Sequence, residues 1–477
     1  MIRATPGSVE TEPRRDRAAM TAVVLLASLV AIASARDYAG GWNDGSRLAT
    51  VESLVDRGTL SIGDSIFVRP SPRSSPYPAT EPDLVARGTQ DKIRIGERFY
   101  SDKPPLPAIL MAGSYLMLRS LIGLDAESQP RRFCWWMTVT SSGVAYVVAA
   151  VSIFTIAGAV GLATWPRSAL TASFALATMA LPYSRHVNGH ILLLAVAGLL
   201  FVCVARFGRR STRSAHALAI GTLAGLGFAI DVGAGSMLLL SAIAWTGIRC
   251  RRLSAVGVML AGAAPWVLAH QAINYSIAGT MLPANAVAEN LAWPGSPFTP
   301  GNMTGTLRHT PAHFVEYAAS LLLGKRGFLG HDLPLLLAVA GGVVLVRHRA
   351  AELPEIVFAA AWSTSTWLLY AASSTNSSGA CASVRWFVPL LVPGYYVIAL
   401  VLRDHPRTLA DLALLSGWGS VIALLAWRVG PWTRHLVPLY WPVVAAAAVS
   451  WTALARWRRS SRSAHEVPLA ERAAISS

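Results

Sequence analysis

The sequence predicts an all-α membrane protein that crosses the bilayer many times, and three observations support this prediction. The 477 residues are 53% hydrophobic and only 14% charged, with a mean hydropathy of +0.45, whereas a soluble domain carries about 25% charged residues. The apolar residues occur in blocks of about 15 to 22, each near the length of a bilayer-spanning helix. Short arginine clusters separate many of these blocks, as the positive-inside rule describes.

The arginine clusters also account for the net charge of +16. No nucleic-acid partner is predicted, because the sequence offers no basic face with interleaved aromatic residues. The four cysteines, Cys134, Cys203, Cys250 and Cys381, indicate neither a disulfide framework nor the Cys/His spacing of a zinc site.

The amino-terminal part of the chain sets the predicted orientation. Residues 1–17 are a polar tail predicted to be cytoplasmic, and 18–35 are predicted to form the first transmembrane helix. The same run resembles a signal peptide, but an uncleaved helix is favoured because so many further spans follow. A cytoplasmic amino end places the next segment, 36–103, outside the cytoplasm.

Residues 36–103 are polar in an otherwise apolar chain, and we call them the charged segment. They include 10 acidic and 10 basic residues, and thus 10 of the chain's 25 Asp and Glu. Helical spacing of apolar residues predicts an amphipathic helix at the membrane interface over 46–57, ended by Gly58. The proline-rich stretch 69–82 is predicted to be irregular, and 92–100 a small hairpin. No role is predicted for 69–91.

Twelve further apolar blocks follow the charged segment. They lie at about 104–124, 136–158, 167–182, 189–205, 215–231, 234–247, 255–275, 333–346, 354–372, 386–402, 409–427 and 437–455. The block 104–124 begins Pro-Pro-Leu-Pro and carries Arg119, so it is predicted to be re-entrant or tilted at the interface. The prediction is therefore 12 to 13 transmembrane helices, with both termini in the cytoplasm.

The domain organisation follows from these blocks. Residues 104–275 and 333–455 are the two halves of the transmembrane bundle. A second extracytoplasmic loop spans 276–332, and a cytoplasmic tail spans 456–477. Shorter outer loops are predicted at 183–188, 373–384 and 428–436.

Two residues of the charged segment are the first candidates for chemistry. Asp44 is either a cap at the start of the amphipathic helix or a general base at the membrane surface. Lys103 precedes Pro104-Pro105, which fix it at the lipid boundary, and the preceding Asp102 is a further candidate for substrate binding. Lys103 is either a snorkelling anchor or a cation for a lipid-linked phosphate.

Further candidates lie in the other predicted outer loops. Lys325 and Arg326 directly precede an apolar block and could clamp a phosphate. Arg385 is either an anchor of the aromatic belt or a contact to phosphate or sugar. His190 is either an interfacial polar residue or a substrate contact. For Asp231 a functional acid at membrane depth and an inner turn are both open, and the inner turn is favoured.

The order of these features resembles a known family. An inside helix, an acidic residue, an amphipathic helix, a glycine, a polar loop and Phe-Tyr-Ser-Asp-Lys-Pro-Pro-Leu (99–106) are similar to GT-C superfamily membrane glycosyltransferases. The closest likeness is to relatives of the aminoarabinose and protein O-mannosyl transferases (glycosyltransferase family 39-like). The segments 324–336 and 385–391 also resemble parts of such proteins. The likeness is strong over 36–120 and concerns topology elsewhere.

The resemblance implies a GT-C type bundle and a reaction. Such enzymes take a sugar from a polyprenyl-phosphate donor and pass it to an acceptor outside the cytoplasmic membrane. It implies that Asp44 is the catalytic acid of the first loop, that Lys103 contacts the donor phosphate, and that Arg47 belongs to the same site. The chain departs from the family at Asp44-Gly45, which has one acid in place of a pair, and at 188–190, where many relatives carry an acid.

The predicted function is therefore an integral-membrane glycosyltransferase of the cell membrane, with its active site on the extracytoplasmic side. Its predicted partners are a polyprenyl-phosphate sugar donor, membrane lipids and a glycan, lipid or protein acceptor. No cofactor is predicted, and a divalent metal is an option that no residue pattern supports. The alternatives are a transporter or flippase of a lipid or polysaccharide precursor, and a non-catalytic GT-C-like protein. A transporter would show paired membrane-embedded charges and broken helices in both halves.

Overall fold

The structure, a computed structural model, describes residues 11–71, 74–207, 213–299, 309–348 and 350–465. Parts of several predicted segments lie outside the described residues: 1–17, 69–91, the arginine cluster 206–213, 276–332 and 456–477. The described chain is almost entirely helical, with one short hairpin. The prediction of an all-α polytopic membrane protein is confirmed.

The charged segment and the helix that follows it share an apolar core of their own, whereas the first helix packs in the core of the bundle. Their elements are α1 (Thr11–Ser34), α2 (Trp42–Arg57), α3 (Pro82–Arg87), β1 (Lys92–Ile95), β2 (Arg98–Ser101) and α4 (Pro105–Ile122). The predicted hairpin is confirmed, since β1 and β2 pair antiparallel with Lys92 opposite Ser101. Gly96 makes its turn at a φ of 59°, a left-handed conformation that favours glycine.

The remaining helices build the bundle, and every predicted apolar block forms a helix. They are α5 (Pro130–Thr138), α6 (Val144–Ala159), α7 (Thr164–Leu176), α8 (Ala180–Tyr183), α9 (Gly189–Arg206), α10 (Arg213–Ile230), α11 (Val232–Cys250), α12 (Leu253–Ala278), α13 (Ala288–Leu291), α14 (Pro311–Leu323), α15 (Phe328–His331), α16 (Leu335–Arg347), α17 (Leu353–Ser373), α18 (Leu391–Asp404), α19 (Leu409–Val429) and α20 (Tyr440–His465). A 3₁₀ helix, Arg385–Leu390, leads into α18.

Fewer helices meet the length and apolarity of a span than the sequence predicts. Among the described residues eight do, and a ninth results if α14 to α16, bent by 103°, count as one. The difference has local reasons. The block 167–182 yields α7 with only 13 residues, and the apolar helix of 215–231 is also short. α17 and α20 are longer but less apolar, because α17 contains the polar run 363–366 and α20 contains Arg456.

Helix α2 is the element around which the charged segment folds. It ends at Gly58 as predicted, in a left-handed C-cap with a φ of 65°. It begins four residues before the predicted start, because Asp44 accepts hydrogen bonds from the backbone of Gly40 and Gly41 ahead of the first turn. All residues from 43 to 53 are buried, so protein covers both faces of the helix. Its interfacial position stays a prediction.

The proline-rich stretch supplies the cover for the polar face of α2. The backbone N–H of Ala39 donates to the carbonyl of Pro76 at 2.9 Å, and Thr89 Oγ1 donates to the carbonyl of Trp42 at 2.7 Å. Tyr77 packs against Gly45, where an added Cβ would lie 2.4 Å from the tyrosine hydroxyl. The stretch for which no role was predicted therefore holds α2 in place.

Helix α4 runs alongside α2 in the same direction. Ser101, just before α4, contacts Ser46 at 2.6 Å, and Arg119 near the end of α4 pairs with Asp56 at 2.5 Å. α4 is long and apolar enough to span a membrane, yet polar contacts to α2 accompany it at both ends. The interfacial position of 104–124 stays a prediction.

Close glycine contacts join α10 to α12. A Cβ on Gly221 would lie 1.9 Å from the carbonyl oxygen of Met259, and one on Gly225 would lie 2.6 Å from that of Ala263. Such distances are too short for any side chain, so the two backbones touch through their glycines. In membrane bundles, small residues at helix contacts let the backbones approach closely in this way.

Gly221→Ala is expected to destabilise the protein by about 1–3 kcal/mol, because the methyl group must push α10 and α12 apart. The measurement is the thermal unfolding midpoint in detergent. Gly257→Ala on α12 is the matched control, since a Cβ there meets nothing within 4 Å. Equal midpoints for the two variants would contradict the close packing.

Candidate active-site cavity

A cavity of about 1340 Å³ lies between the charged segment and one end of the bundle. Its walls come from the charged segment, the amino ends of α9 and α11, helices α12 and α17, and the loops before α18 and after α19. Six of the predicted site residues line it: Arg47, Asp102, Lys103, His190, Arg326 and Arg385. The sequence-based choice of the charged segment as the place for chemistry thus agrees with the geometry.

Asp44 does not line this cavity. Its side chain is 1% exposed, and its two oxygens accept hydrogen bonds from Gly40 N–H at 2.7 Å and Gly41 N–H at 2.8 Å. His186 Nδ1 lies 3.3 Å from the same carboxylate. Of the two readings of Asp44, this conformation shows the helix cap, because both oxygens are engaged by the start of α2. Its role as a base stays a prediction.

Lys103 lies between two carboxylates. Its Nζ is 2.7 Å from Asp91 Oδ2 and 2.6 Å from Asp102 Oδ2. Burial raises the pKa of Asp102, Lys103 counteracts this, and Asp91 raises it again. Lys103 therefore neutralises two carboxylates. In this arrangement it is not the free cation for a phosphate that the sequence predicts.

Lys103→Met is expected to destabilise the protein by about 3 kcal/mol, because it leaves two buried carboxylates without their cation. Adding Asp102→Asn should recover part of the loss by removing one unpaired charge. Thermal unfolding in detergent measures both effects. The control is Lys325→Met, since Lys325 is exposed and lies outside the cavity. A Lys103→Met midpoint equal to that of the control would show that the carboxylates need no cation.

Arg47 projects from α2 into the cavity and is only 4% exposed. Its Nε and Nη1 have no hydrogen-bond partner among the described residues. Burial lowers its pKa to about 10, Asp102 and Asp231 raise it, and Arg385 lowers it, so the side chain is a cation at neutral pH. Its guanidinium lies against Gly189, where an added Cβ would be 2.6 Å from Nη2.

Arg385 is the second arginine of the cavity. It begins the 3₁₀ helix that leads into α18, and its backbone N–H donates to Ser378 Oγ at 3.0 Å. The guanidinium carbon lies 5.3 Å from the ring centre of Trp432, a cation–π contact. Its Nε also lacks a partner among the described residues. Two arginines that each have a buried N–H donor without a partner among the described residues therefore line one cavity.

His190 and Asp231 form a pair in the same cavity. His190 Nδ1 lies 2.9 Å from Asp231 Oδ2. The other oxygen, Oδ1, accepts the N–H groups of Gly233 and Ala234 at the start of α11 and the hydroxyl of Tyr370 at 3.2 Å. Asn188 caps α9 by accepting the N–H of His190 at 2.9 Å. Both partners of the pair are thus fixed at helix amino ends.

This placement corrects the preference for Asp231 in an inner turn. Asp231 lines the cavity together with the charged segment, because α10 ends and α11 begins at that side of the bundle. His190 also lines the cavity, and its Nδ1 lies within ion-pair distance of the carboxylate. An imidazole oriented by a carboxylate is the arrangement of a general base.

Arg326 and Lys325 do not act as a pair. Arg326 lines the cavity, but its Nη1 and Nη2 donate to the carbonyls of Gly379 at 2.8 Å and Arg434 at 3.1 Å. It therefore ties together two loops of the cavity wall. Lys325 is exposed and does not line the cavity, so the predicted phosphate clamp of neighbouring residues is not formed.

The cavity has an apolar arm toward α11 and α12. Ile230, Met237 and Ile277 contribute to its lining, beside His270 and Asn274. The outer faces of these two helices are apolar and exposed, as at Leu240, Leu260 and Leu268. A hydrocarbon chain could leave the polar site along this arm into the bilayer.

Three cavity residues were missed or undervalued by the sequence reasoning: Asn43, Asp91 and Asp231. Asp91 directly precedes β1 within the charged segment, so its position was a usable signal. Asn43 lines the cavity, and its Oδ1 has no hydrogen-bond partner among the described residues. In the part of the chain that the structure describes, no three His, Cys, Asp or Glu side chains are grouped to hold a metal.

No family model matches the chain, and no curated protein matches it in sequence. Several solved structures resemble it. An ArnT from Cupriavidus metallidurans bound to undecaprenyl phosphate is 14% identical, with a TM-score of 0.49 over 91% of this chain and 75% of that one. Its apo state gives the same identity and coverage with a TM-score of 0.47.

An apo oligosaccharyltransferase from Archaeoglobus fulgidus is 12% identical, with a TM-score of 0.45 over 90% of this chain and 56% of that one. Both proteins are GT-C membrane glycosyltransferases, the superfamily that the sequence resembles. These likenesses concern the overall fold, and the function proposed next rests on this chain's own residues.

Proposed function

We propose that this chain is an integral-membrane glycosyltransferase that moves a sugar from a polyprenyl-phosphate donor to an acceptor on the extracytoplasmic side of the cytoplasmic membrane. The observation that carries the proposal is the pair of unsatisfied guanidinium groups of Arg47 and Arg385 in one cavity with an apolar arm. Such a cavity suits a ligand that is a phosphate at one end and a hydrocarbon at the other.

The two arginines suit a phosphate better than a carbohydrate alone. A guanidinium offers a rigid fork of N–H donors that matches phosphate oxygens. Arg47 is held by burial and by its contact with Gly189, and Arg385 by its contact with Trp432. Fixed donors stabilise charge that develops on a leaving group without reorganising during the reaction. Here the leaving group is the polyprenyl phosphate.

The proposed reaction is a substitution at the anomeric carbon of the sugar. The acceptor oxygen or nitrogen forms a bond to this carbon, and the bond from the carbon to the phosphate oxygen breaks with its electron pair. The lipid phosphate leaves with that pair, between Arg47 and Arg385. The proton of the acceptor passes to a base on the protein.

His190 is the base that the geometry favours. Asp231 lies next to its Nδ1, and Nε2 is therefore the nitrogen that takes the proton in this proposal. Asp231 is a positioning residue, because it acts on substrate only through His190. Asp44, the base implied by the family resemblance, remains the competing candidate, and its carboxylate would have to leave the backbone of Gly40 and Gly41 to reach a substrate.

The predicted topology supports the extracytoplasmic side. Described residues of four predicted outer segments line the same cavity: Lys103 of the charged segment, Asn285 of 276–332, Asn376 of 373–384 and Trp432 of 428–436. Segments that were assigned to one side of the membrane from arginine clusters alone thus converge in space.

The test compares a long-chain polyprenyl monophosphate with the free polyprenol on the purified protein. The phosphate should raise the thermal midpoint and the alcohol should not, because only the phosphate engages the arginines. Radiolabelled polyprenyl-phosphate pentoses and hexoses then identify the donor by label transfer to membrane fractions. Equal effects of phosphate and alcohol, or movement of the lipid between leaflets of proteoliposomes without transfer of label, would refute the proposal.

A further inference from the structure

A second pair of arginines lies at the same side of the bundle but outside the cavity. Arg36 follows α1, and Arg185 lies in the loop between α8 and α9; neither lines the cavity. The backbone N–H of Arg36 donates to the carbonyl of Arg185 at 3.0 Å. Their guanidinium carbons lie 5.4 Å and 5.3 Å from the ring centre of Trp427 near the end of α19.

These arginines have unsatisfied donors. Nε of Arg36 and both Nε and Nη1 of Arg185 are buried without a hydrogen-bond partner among the described residues, and Arg185 is 4% exposed. The nearby acids are engaged elsewhere, since Asp37 pairs with Arg131 at 2.5 Å and Asp44 lies 3.3 Å from His186. A buried N–H donor without an acceptor is costly, so an acceptor that is not part of the described chain is indicated.

The positive charges of Arg36 and Arg185 also repel each other. Burial and the neighbouring charge of Arg36 lower the pKa of Arg185 to about 10, while Tyr38 raises it. The contact with Trp427 offsets some of the charge through the face of the ring, but it leaves the in-plane N–H groups without acceptors. An anion bound by both guanidinium groups would satisfy the donors and remove the repulsion.

The surroundings point to the source of the anion. The indole Nε1 of Trp427 donates to Ser34 Oγ at 2.9 Å and joins the ends of α1 and α19. Below this junction both helices present exposed aliphatic side chains: Leu25, Leu29 and Ile32 on α1, and Val421 and Leu424 on α19. Helix α7 packs against both. The exposed aliphatic side chains of α1 and α19 thus lie next to the arginine pair.

We propose that Arg36 and Arg185 bind the phosphate of an anionic membrane lipid whose acyl chains lie along the exposed aliphatic side chains of α1 and α19. The arginine pair lies at the level of the helix ends, where lipid headgroups are found. Tryptophan is enriched in this interfacial region, and Trp427 lies beside the pair. The site does not depend on the proposed transfer reaction, since its residues are separate from Arg47 and Arg385.

The test measures the thermal midpoint of purified protein in a neutral detergent with added phosphatidylglycerol, phosphatidylcholine or inorganic phosphate. Phosphatidylglycerol should raise the wild-type midpoint by roughly 2 to 4 °C. Arg36→Gln and Arg185→Gln should lose most of this shift. Arg428→Gln, which replaces an exposed neighbour on α19, should keep it.

Each outcome decides between sources of the anion. A shift produced equally by inorganic phosphate would place a free anion at the arginines and overturn the lipid assignment. An equal phosphatidylglycerol shift in the wild type and both variants, or none in the wild type, would overturn the site itself. Should Arg185→Gln fail to fold, the half-buried Arg36→Gln still decides. Mass spectrometry of lipid retained through purification gives a second reading.

Discussion

Replacing Arg47 by glutamine is expected to lower sugar transfer by about 100-fold or more. Fixed donors that face a developing negative charge contribute about this much to a reaction rate, and Arg47 is the most deeply buried cation of the cavity that no side chain neutralises directly. Arg47→Lys should fall between wild type and Arg47→Gln, because lysine keeps the charge but loses the planar fork of donors.

The measurement is label transfer from a polyprenyl-phosphate sugar by purified protein, with the thermal midpoint as the check on folding. Arg98→Gln is the matched control, since Arg98 is an exposed arginine of the same charged segment that does not line the cavity. If the transfer rate of Arg47→Gln lies within a few-fold of that of Arg98→Gln, the proposed contact of Arg47 with the donor phosphate is rejected.

Replacing His190 by asparagine is expected to lower the rate of transfer by about 100-fold to 10,000-fold, the contribution of a general base. The pH profile gives a sharper reading. A base must be unprotonated, so wild-type transfer should fall as the imidazole gains a proton at low pH, and this fall should be absent from the residual activity of His190→Asn. The charged or titratable side chains near His190, which can shift the titration of its imidazole, are Asp231, Arg47, Arg385 and Tyr370.

Asp231→Asn tests the orientation of the imidazole without breaking the fold. Asparagine is as good an N-cap as aspartate, so it can still accept the N–H groups of Gly233 and Ala234. Its NH₂ would then face His190 Nδ1, which favours the tautomer with the proton on Nε2. That tautomer cannot take a proton from the acceptor, so a large loss of rate with an unchanged thermal midpoint is expected.

Asp44→Asn separates the two candidate bases. If His190 is the base, Asp44→Asn should retain transfer within a few-fold, provided that the folded fraction is equal. Abolished transfer in well-folded Asp44→Asn, together with near-normal transfer in His190→Asn, would assign the base to Asp44 and reject the dyad of His190 and Asp231.

The sequence was sufficient to find the region of the site. The charged segment stands out by composition, and the outer placement predicted for four loops follows from arginine clusters that act locally on membrane insertion. The end of α2 at Gly58 and the hairpin around Gly96 follow from backbone preferences of single residues. Each of these features depends on neighbours in the chain, which is why a sequence pattern can reveal it.

The roles within the region depend on contacts across the chain, and these only the tertiary structure decides. Whether Asp44 faces a substrate or the amino end of α2 depends on its contacts with the backbone of Gly40 and Gly41. Lys103 is neutralised by Asp91, 12 residues away, through the pairing of β1 with β2. His190 meets Asp231 because α9 and α11 both begin at the same end of the bundle.

The physical reason is that composition and periodicity record which residues prefer water, lipid or a turn, and they record it locally. The net charge, the positions of the helices and the side of the membrane predicted for each loop follow from such preferences. The direction of a buried polar side chain follows instead from which distant groups satisfy its hydrogen bonds. For this protein the sequence therefore determined where polar chemistry lies, and packing determined which carboxylate is a cap, which cation is already paired, and which arginines remain free for an anion.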